Sequence, residues 1–234
     1  MSFQTHAPWF ASLLVLSLPL SVSAEEVQAY AVSPDTPELG VGVRLRYAFA
    51  PQKMLTLIAD HATSMRTLAI GGEVVRRKGD FDLIFGLEYM RLSSDPGYYL
   101  SKGNDPAVDG PDYYQFDGVS LLGWDATFAW SAAIVDSVQL RYGVGLGLAL
   151  VSGDVLKADA ICDPGTEVLD LDDVNTSKCH KLAQPTAANS LPPILPVVNV
   201  MLGLRIRVAD RIWVNVEGGF KDMLYAGIGS NYMF

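Results

Sequence analysis

The chain ends with the sequence DMLYAGIGSNYMF, which covers residues 222–234. Counted back from the carboxyl terminus in steps of two, most residues are apolar, and the set is Phe234, Tyr232, Ser230, Ile228, Ala226 and Leu224. The intervening residues are Met233, Asn231, Gly229, Gly227 and Tyr225. A period of two is typical of a β-strand with one apolar face. The rest of the chain must therefore supply strands that pair with this one.

The composition of the whole chain also favours strands. Hydrophobic residues make up 50% of the 234 residues, yet no run of about 18 apolar residues occurs, which excludes a helical membrane span. The 21 glycines fit a strand-rich fold, because glycine destabilises a helix interior by about 1 kcal/mol relative to alanine. The net charge of -9 argues against nucleic-acid binding, which needs clustered lysine and arginine. The predicted fold class is all-β.

Residues 1–24 are expected to be a signal peptide. Residues 10–20 form a short apolar core, and the small residues Val22 and Ala24 follow it, as they do at a signal-peptidase site. No lysine or arginine precedes the core, which departs from the usual pattern. A buried N-terminal helix is the alternative, although such a helix should show a polar face and a cap. Residues 25–38, which contain two prolines, are predicted to be a short periplasmic N-terminal segment.

Seven further segments alternate in the same way as the last one. In each of them an apolar set of side chains opposes a set that is small, polar or charged. The seven segments are 39–49, 67–76, 81–92, 119–132, 138–151, 194–208 and 212–220. Together with the last strand they predict eight strands, an even number, in one domain of residues 39–234.

The connections between the predicted strands alternate in length. Tight turns are expected after the second, fourth and sixth strands, whereas long polar connections at 50–63, 93–118 and 152–191 follow the first, third and fifth. The last connection, near Lys221, is short. Connections of this length are unusual inside a compact soluble domain and ordinary on the outer side of an outer-membrane barrel.

In strand count, loop lengths and terminal Phe234, residues 39–234 resemble the eight-stranded bacterial outer-membrane barrels of the OmpA, OmpX and OmpW type. The resemblance implies an antiparallel up-and-down transmembrane β-barrel with short periplasmic turns and long outer loops. It places the protein in the outer membrane, in contact with lipid and lipopolysaccharide. It also implies that Tyr232 and Phe234 are the assembly signal, read by the outer-membrane assembly machinery. A soluble sandwich is the alternative, because its solvent face could carry the same charges.

Aromatic residues lie near the ends of several predicted strands. In an outer-membrane barrel such residues form belts at the two membrane interfaces. The predicted belt residues are Phe81, Trp130, Tyr232 and Phe234 on the periplasmic side and Phe49, Tyr89 and Trp124 on the outer side.

The charged residues within the strands share one face, which would be the lumen of a barrel. They are Arg44, Arg46, Glu73, Glu88, Asp125, Arg141, Arg205, Arg207 and Glu217. An eight-stranded barrel has little more interior than its own side chains fill, so these groups are expected to pair in a plugged lumen. The favoured function is a structural or surface-interaction role, with an extracellular partner bound through long acidic loops. A small gated channel and a lipid-directed enzyme are the alternatives.

Both cysteines, Cys162 and Cys179, lie in the longest connection. An even number of cysteines in an exported chain favours a disulfide, which would stabilise the fold by roughly 3 kcal/mol in the loop-closure model. Metal binding together with His180 is the alternative, although a site would need further ligands at compatible spacing.

A weak candidate for catalysis lies in the first long connection. Asp60 and His61, close to Thr63 and Ser64, contain the minimum of a nucleophilic pair. No G-x-S-x-G, H-E-x-x-H or phosphate-loop motif occurs, and the acidic loops match no calcium-binding motif. The sequence therefore predicts no catalytic residue, no metal and no cofactor.

Overall fold

The computed structural model describes residues 36–55, 59–172, 174, 177–187 and 192–234. The predicted signal peptide and residues 25–35 of the predicted N-terminal segment lie outside these ranges. Among the described residues, no helix combines the length and the hydropathy needed to cross a membrane.

Nearly all of the described elements are strands. In chain order they are β1 Glu38–Ala50, the helix α1 Gln52–Leu55, β2 Ala59–His61, β3 Met65–Lys78, β4 Phe81–Arg91, β5 Ser93–Ser94, β6 Gly97–Ser101, β7 Asp112–Val135, β8 Val138–Cys162, a 3-10 helix Val168–Leu171, β9 Cys179–Lys181, β10 Thr186–Ala187, β11 Ile194–Ala209, β12 Ile212–Lys221 and β13 Met223–Met233.

Eight of the strands form a closed ring. Each pairs antiparallel with two neighbours, in the order β1, β3, β4, β7, β8, β11, β12 and β13. The ring closes where β13 pairs with β1, with Leu45 opposite Ile228. Closure removes the exposed edges that an open sheet would have. The eight-stranded antiparallel barrel predicted from the sequence is confirmed.

The two ends of the ring differ in their connections. Short turns join β3 to β4, β7 to β8 and β11 to β12 at one end, which we call the turn end. The three long connections leave from the opposite end, which we call the loop end. There β12 passes into β13 through Asp222 alone, whose φ of 56° allows a tight reversal. Apart from this reversal, short and long connections lie at opposite ends of the ring, as predicted.

The polarity of the ring is inverted relative to that of a soluble protein. Charged side chains face the interior, where Asp82 is 0% and Glu88 1% exposed. Large apolar side chains face outward on all eight strands, with Val43, Ile70 and Leu146 between 62% and 68% exposed. A soluble sandwich would leave the charged side in water, so this alternative is wrong.

Beyond the loop end, β7 and β8 continue as a two-stranded ribbon in which Asp112 lies opposite Asp159. Strand β6 adds to β7, while β9 and β10 add to β8. The ribbon, α1, β2, β6, β9, β10 and the 3-10 helix together are called the outer extension below. Its small hydrophobic cluster consists of Tyr98, Leu100, Tyr113, Ala158, Ala160, Leu171 and Cys179.

The prediction that residues 93–118 and 152–191 are polar connections is therefore wrong where strands form. Acidic residues interrupt the apolar pattern of the ribbon, and they include Asp112, Asp117 and Asp154. Lys221 was likewise predicted to lie in a connection, but it ends β12 and its side chain is buried.

Two glycines lie where the ribbon leaves the ring. Gly118 and Gly153 have φ values of 63° and 92°, and the pairing register shifts between Asp117 and Ser120. A Cβ at Gly153 would lie 2.5 Å from the carbonyl oxygen of Gly118. Only glycine adopts this backbone and this approach without strain, and such an irregularity bends a strand pair.

Candidate functional site in the interior of the ring

Arg44 is the centre of a buried ion-pair network. The alternation of β1 points its side chain inward, where three carboxylates on three other strands surround it. Its guanidinium nitrogens lie 3.0 Å from Asp125, 3.2 Å from Glu88 and 3.4 Å from Glu73. Gly86 makes room for this group, because a Cβ there would collide with the guanidinium.

Arg46 and Lys221 extend the network to β12. Arg46 Nη2 lies 2.6 Å from Glu217 Oε1, and its Nη1 lies 3.0 Å from Glu88 Oε2. Lys221 Nζ lies 2.7 Å from Asp125 Oδ1 and 3.3 Å from Glu88 Oε1. The seven residues, which we call the central cluster, are Arg44, Arg46, Glu73, Glu88, Asp125, Glu217 and Lys221.

The central cluster ties five strands together across the interior. Its members come from β1, β3, β4, β7 and β12, so each ion pair spans the lumen or links neighbouring strands. A buried ion pair adds little net stability relative to apolar packing, but removing one partner costs about 3 to 5 kcal/mol. The cluster therefore fills the lumen and favours a single arrangement of the strands.

A second group of charges lies near the turn end. Asp82 is fully buried, and three guanidiniums approach it: Arg205 Nη2 at 2.6 Å, Arg141 Nη2 at 3.4 Å and Arg77 Nε at 3.5 Å. The ring of Trp213 packs under two of them, with its centroid 4.9 Å from Arg77 Cζ and 5.8 Å from Arg205 Cζ. We call Arg77, Asp82, Arg141 and Arg205 the turn-end cluster.

Side-chain amides connect the two clusters. Arg205 Nε donates to Asn215 Oδ1 at 3.2 Å, and the amide of Asn215 donates to Asn231. Asn231 Nδ2 then donates to Glu73 Oε1 at 2.6 Å. A continuous chain of hydrogen bonds thus runs along the lumen from the turn-end cluster to the central cluster.

The structure brings together eight of the nine charged residues that the sequence singled out. Six lie in the central cluster, and Arg141 and Arg205 lie in the turn-end cluster. Arg207 lies at the turn end without an ion pair to Asp82; its Nη2 donates to the carbonyl of Asp136 at 3.5 Å, and its Cζ lies 5.7 Å from the centroid of the Trp213 ring.

Three charged residues of the interior were missed by the sequence reasoning. Arg77 was taken as part of a tight turn and Lys221 as part of a connection, while Asp82 was placed on the third strand but not counted among the lumen charges. Each has the parity of an inward residue on its strand: Asp82 matches Glu88, and Lys221 matches Glu217. Extending the alternation to the strand ends would have found Arg77 and Lys221, and the parity of Asp82 on its own strand would have found the third.

The predicted belt residues lie on the outer surface, mostly exposed, with Phe49 and Phe81 half-buried. Near the turn end, the ring centroids of Phe81 and Trp130 are 5.7 Å apart, and Tyr142 lies 6.2 Å from Trp130. Tyr232 and Phe234 contact each other at 5.6 Å.

The outer extension contains the weak catalytic candidate. His61 is buried, with Nδ1 2.6 Å from the carbonyl of Tyr98 and Nε2 3.0 Å from Asp172 Oδ1. Both ring nitrogens thus have partners other than Ser64, which is exposed, while Asp60 accepts from the amide of Gly103 at 2.6 Å. The geometry orients His61 as a structural link between β2 and the end of the 3-10 helix.

Asp172 and the disulfide hold the same region together. A hydrogen bond from Gln52, and then one from His61, hold the pKa of Asp172 below its usual value. Cys162 and Cys179 are paired across β8 and β9 and joined by a disulfide. Among the described residues, no cluster of histidine, cysteine and carboxylate side chains has the geometry of a metal site.

Neither a protein-family model nor a curated protein matches the sequence. Among solved structures, the chain is similar to Neisserial surface protein A at 11% identity and a TM-score of 0.39, with 86% of this chain and 100% of that protein covered. A de novo designed transmembrane β-barrel is similar at 12% identity and a TM-score of 0.38, with coverages of 84% and 95%. Ail of Yersinia pestis is similar at 11% and 0.37, with coverages of 85% and 97%. These likenesses are remote, and the fold described above rests on the strand pairing of the chain itself.

Proposed function

We propose that the protein is an integral component of the bacterial outer membrane. The inverted polarity of the closed ring supports the proposal, because an apolar surface on all eight strands suits lipid tails and not water. Backbone groups without partners cost several kcal/mol each in hydrocarbon, so only helices and closed barrels span a bilayer. The ring strands contain at least 10 residues, which is enough for a tilted strand to cross.

The proposed surroundings of the ring are lipid and lipopolysaccharide. Aromatic side chains such as Trp130 and Tyr142 on the outer surface near the turn end suit a membrane interface, where an apolar ring and a polar tip are both satisfied. With this orientation the turn end faces the periplasm, and the outer extension stands outside the cell.

Within the membrane we assign the barrel a structural or surface-interaction role. The central cluster supports this assignment over an open pore, because Arg44 and Arg46 extend across the interior to carboxylates on four other strands. The outer extension is the part that would meet an extracellular partner. It contains a cleft of about 520 Å³, whose lining includes Gln52, Thr63, Asp95 and Asp172.

Fractionation and electrophoresis test the membrane assignment. We expect the protein in the outer-membrane fraction, and we expect the unheated sample to migrate differently from the heated one in SDS, because a closed ring of this polarity resists unfolding in detergent. A protein that stays in solution without detergent and migrates identically before and after heating would contradict the assignment.

Planar-bilayer recordings test the closed lumen. Purified barrel should give no stable conductance, whereas the gated-channel alternative requires discrete, ion-selective openings. The double variant Glu73→Ala and Glu88→Ala, which removes two carboxylates from the central cluster, serves as a matched comparison. Openings in this variant but not in the native protein would show that the central cluster closes the lumen. Openings in both proteins would contradict a closed lumen.

We also propose that the last strand is recognised by the outer-membrane assembly machinery. Phe234 lies at the end of the closing strand, exposed on the outer surface, and its N–H donates to the carbonyl of Leu39 at 2.8 Å. Deletion of Phe234 should reduce assembly in cells and leave refolding into detergent micelles nearly unchanged. The variant Phe220→Ala, on the neighbouring strand, is the control. Equal loss of assembly in both variants would contradict a terminal signal.

A further inference from the structure

The turn-end cluster carries more positive charge than its own carboxylate can balance. Three guanidiniums face Asp82, and the described residues that otherwise contact them are neutral: Gln139, Asn215 and Trp213. Glu217 of the central cluster acts on Arg141 only electrostatically, without an ion-pair contact. The central cluster has three cations and four carboxylates, so it has one surplus negative charge. The turn-end cluster has three cations and one carboxylate, so the two clusters together keep an excess of positive charge. Arginine stays protonated in proteins, so the excess cannot be relieved by deprotonation.

Hydrogen bonding in the turn-end cluster is incomplete as well. Arg141 is 2% exposed, yet its Nε and Nη2 have no hydrogen-bond partner, and neither does Nη1 of the equally buried Arg205. The two Asp82 oxygens lie close to these groups without the alignment of a hydrogen bond. Three guanidiniums offer about fifteen N–H donors in total, whereas one carboxylate has about four acceptor positions.

A hydroxyl without a partner lies beside these groups. Ser131 is buried on β7, directly opposite Arg141 on β8, and its Oγ makes no hydrogen bond. Cross-strand neighbours have Cβ atoms about 5 Å apart, so the serine side chain faces the same space as the arginine. Apart from the two Asp82 oxygens, the unpartnered groups at this end are therefore donors or, at Ser131, a group that can donate.

We propose that the turn-end cluster binds a small inorganic anion, held by Arg141, Arg205 and the hydroxyl of Ser131. Water could satisfy the hydrogen bonds but would leave the surplus charge uncompensated in a buried site, which is costly. A halide or a phosphate oxygen satisfies both requirements. An ion would enter from the turn end, where Arg77 is the most exposed arginine of the cluster although it is itself buried.

Crystallography with bromide tests the site directly. Crystals of the native protein equilibrated with sodium bromide should show an anomalous peak beside the guanidiniums of Arg141 and Arg205. A parallel crystal grown with inorganic phosphate shows whether an oxyanion also fits. If the crystals with bromide and with phosphate both show only water at this position, or if the peak appears only at the half-buried Arg207, the proposal is wrong.

A charge substitution tests the same site in solution. Ser131→Asp places a carboxylate opposite Arg141 and should replace the bound ion, whereas Ser131→Asn has nearly the same size and no charge. In detergent micelles with urea, replacing sodium gluconate by sodium chloride at equal ionic strength should raise the thermal unfolding midpoint of the native protein by about 5 °C, and that of Ser131→Asn, which keeps the two arginines but loses the hydroxyl, by less. The midpoint of Ser131→Asp should not change.

The rim residue supplies the control for general salt effects. Arg207→Gln removes a positive charge outside the cluster, so this variant should respond to chloride as the native protein does. An identical chloride response in Ser131→Asp, or a native protein that does not respond, would overturn the proposal. If Ser131→Asp fails to fold, the bromide experiment decides the question alone.

Discussion

Glu88 is the carboxylate shared by all three cations of the central cluster. It lies within 3.3 Å of Arg44, Arg46 and Lys221, and it is almost fully buried. The variant Glu88→Gln keeps the shape of the side chain but removes its charge. We expect the free energy of unfolding to fall by about 3 kcal/mol, because three buried cations lose a partner.

Urea unfolding in detergent micelles measures this loss. The control is Asp159→Asn in the outer extension, where the carboxylate is 76% exposed and lies 3.9 Å from Lys157. An exposed pair of this kind contributes about 0 to 1 kcal/mol. Equal losses in the two variants would show that the central cluster is not a buried network.

Asp172 gives the outer extension a dependence on pH. Its pKa is lowered in the folded protein, first by Gln52 and then by His61, so folding favours the charged carboxylate. The stabilisation is therefore complete above the ordinary aspartate pKa of 3.8 and is lost as the pH falls through the lower folded value. Because the side chain is 53% exposed, the effect should stay below about 1 kcal/mol.

Carbon-13 NMR of the aspartate carboxyl groups in micelles measures this pKa. Asp172 should titrate below 3.8, and Gln52→Ala should move the value back toward it. If Gln52→Ala leaves the titration unchanged, the hydrogen bond from α1 is not the cause. Asp172→Asn should remove the corresponding signal and serves to assign it.

At the scale of strands, the sequence located all eight ring elements because each has one continuous apolar face. The outer extension escaped prediction for a physical reason. The ribbon is surrounded by water and not by lipid, so it buries only a few side chains, such as Tyr113 and Ala158, between charged neighbours. A period-two pattern requires one face of a strand to be apolar throughout, and the strands of the ribbon have no such face.

The disulfide should stabilise the outer extension and not the ring. Cys162 and Cys179 are 17 residues apart in the chain, and Cys179 belongs to the hydrophobic cluster of the extension. Replacing both by alanine should destabilise the extension by about 3 kcal/mol. Limited proteolysis should then cleave the extension faster, because local stability governs cleavage of native proteins.

Heat-modifiable migration in SDS reports on the ring in the same samples. It should be unchanged in the double cysteine variant, because the eight strands pair without the bridge. Loss of both protease resistance and heat-modifiable migration would mean that the bridge supports the whole barrel.

At the scale of the whole molecule, the inverted polarity makes opposite predictions for two exposed leucines. Leu146 is 68% exposed near the middle of the ring, and Leu169 is 76% exposed in the outer extension. Leu146→Arg should cost about 2 to 4 kcal/mol in a bilayer, because a charge then faces hydrocarbon. Leu169→Arg should change stability by less than about 0.5 kcal/mol.

Folding into lipid vesicles, followed in urea, compares the two variants. Equal tolerance of arginine at both positions would contradict lipid contact at Leu146 and with it the membrane assignment.

The ring could be predicted from the sequence, whereas the composition of its interior could be predicted only in part. Alternation shows which side chains face inward, and it placed Arg44 and Glu88 on one face. It does not show the height of each residue along the lumen, which depends on strand register. The separation into a central and a turn-end cluster follows from pairings such as Arg77 with Asp82, and these become visible only in the closed ring.

The two glycines at the base of the ribbon determine how the protein presents itself to its neighbours. The positive φ angles of Gly118 and Gly153 set the backbone direction where the ribbon leaves the ring, so the backbone and not the side chains sets the direction of the ribbon at this point. A binding partner would therefore meet the same surface of the extension on every molecule of the protein. Replacing either glycine by a larger residue would change the orientation of that surface and leave the residues on it the same.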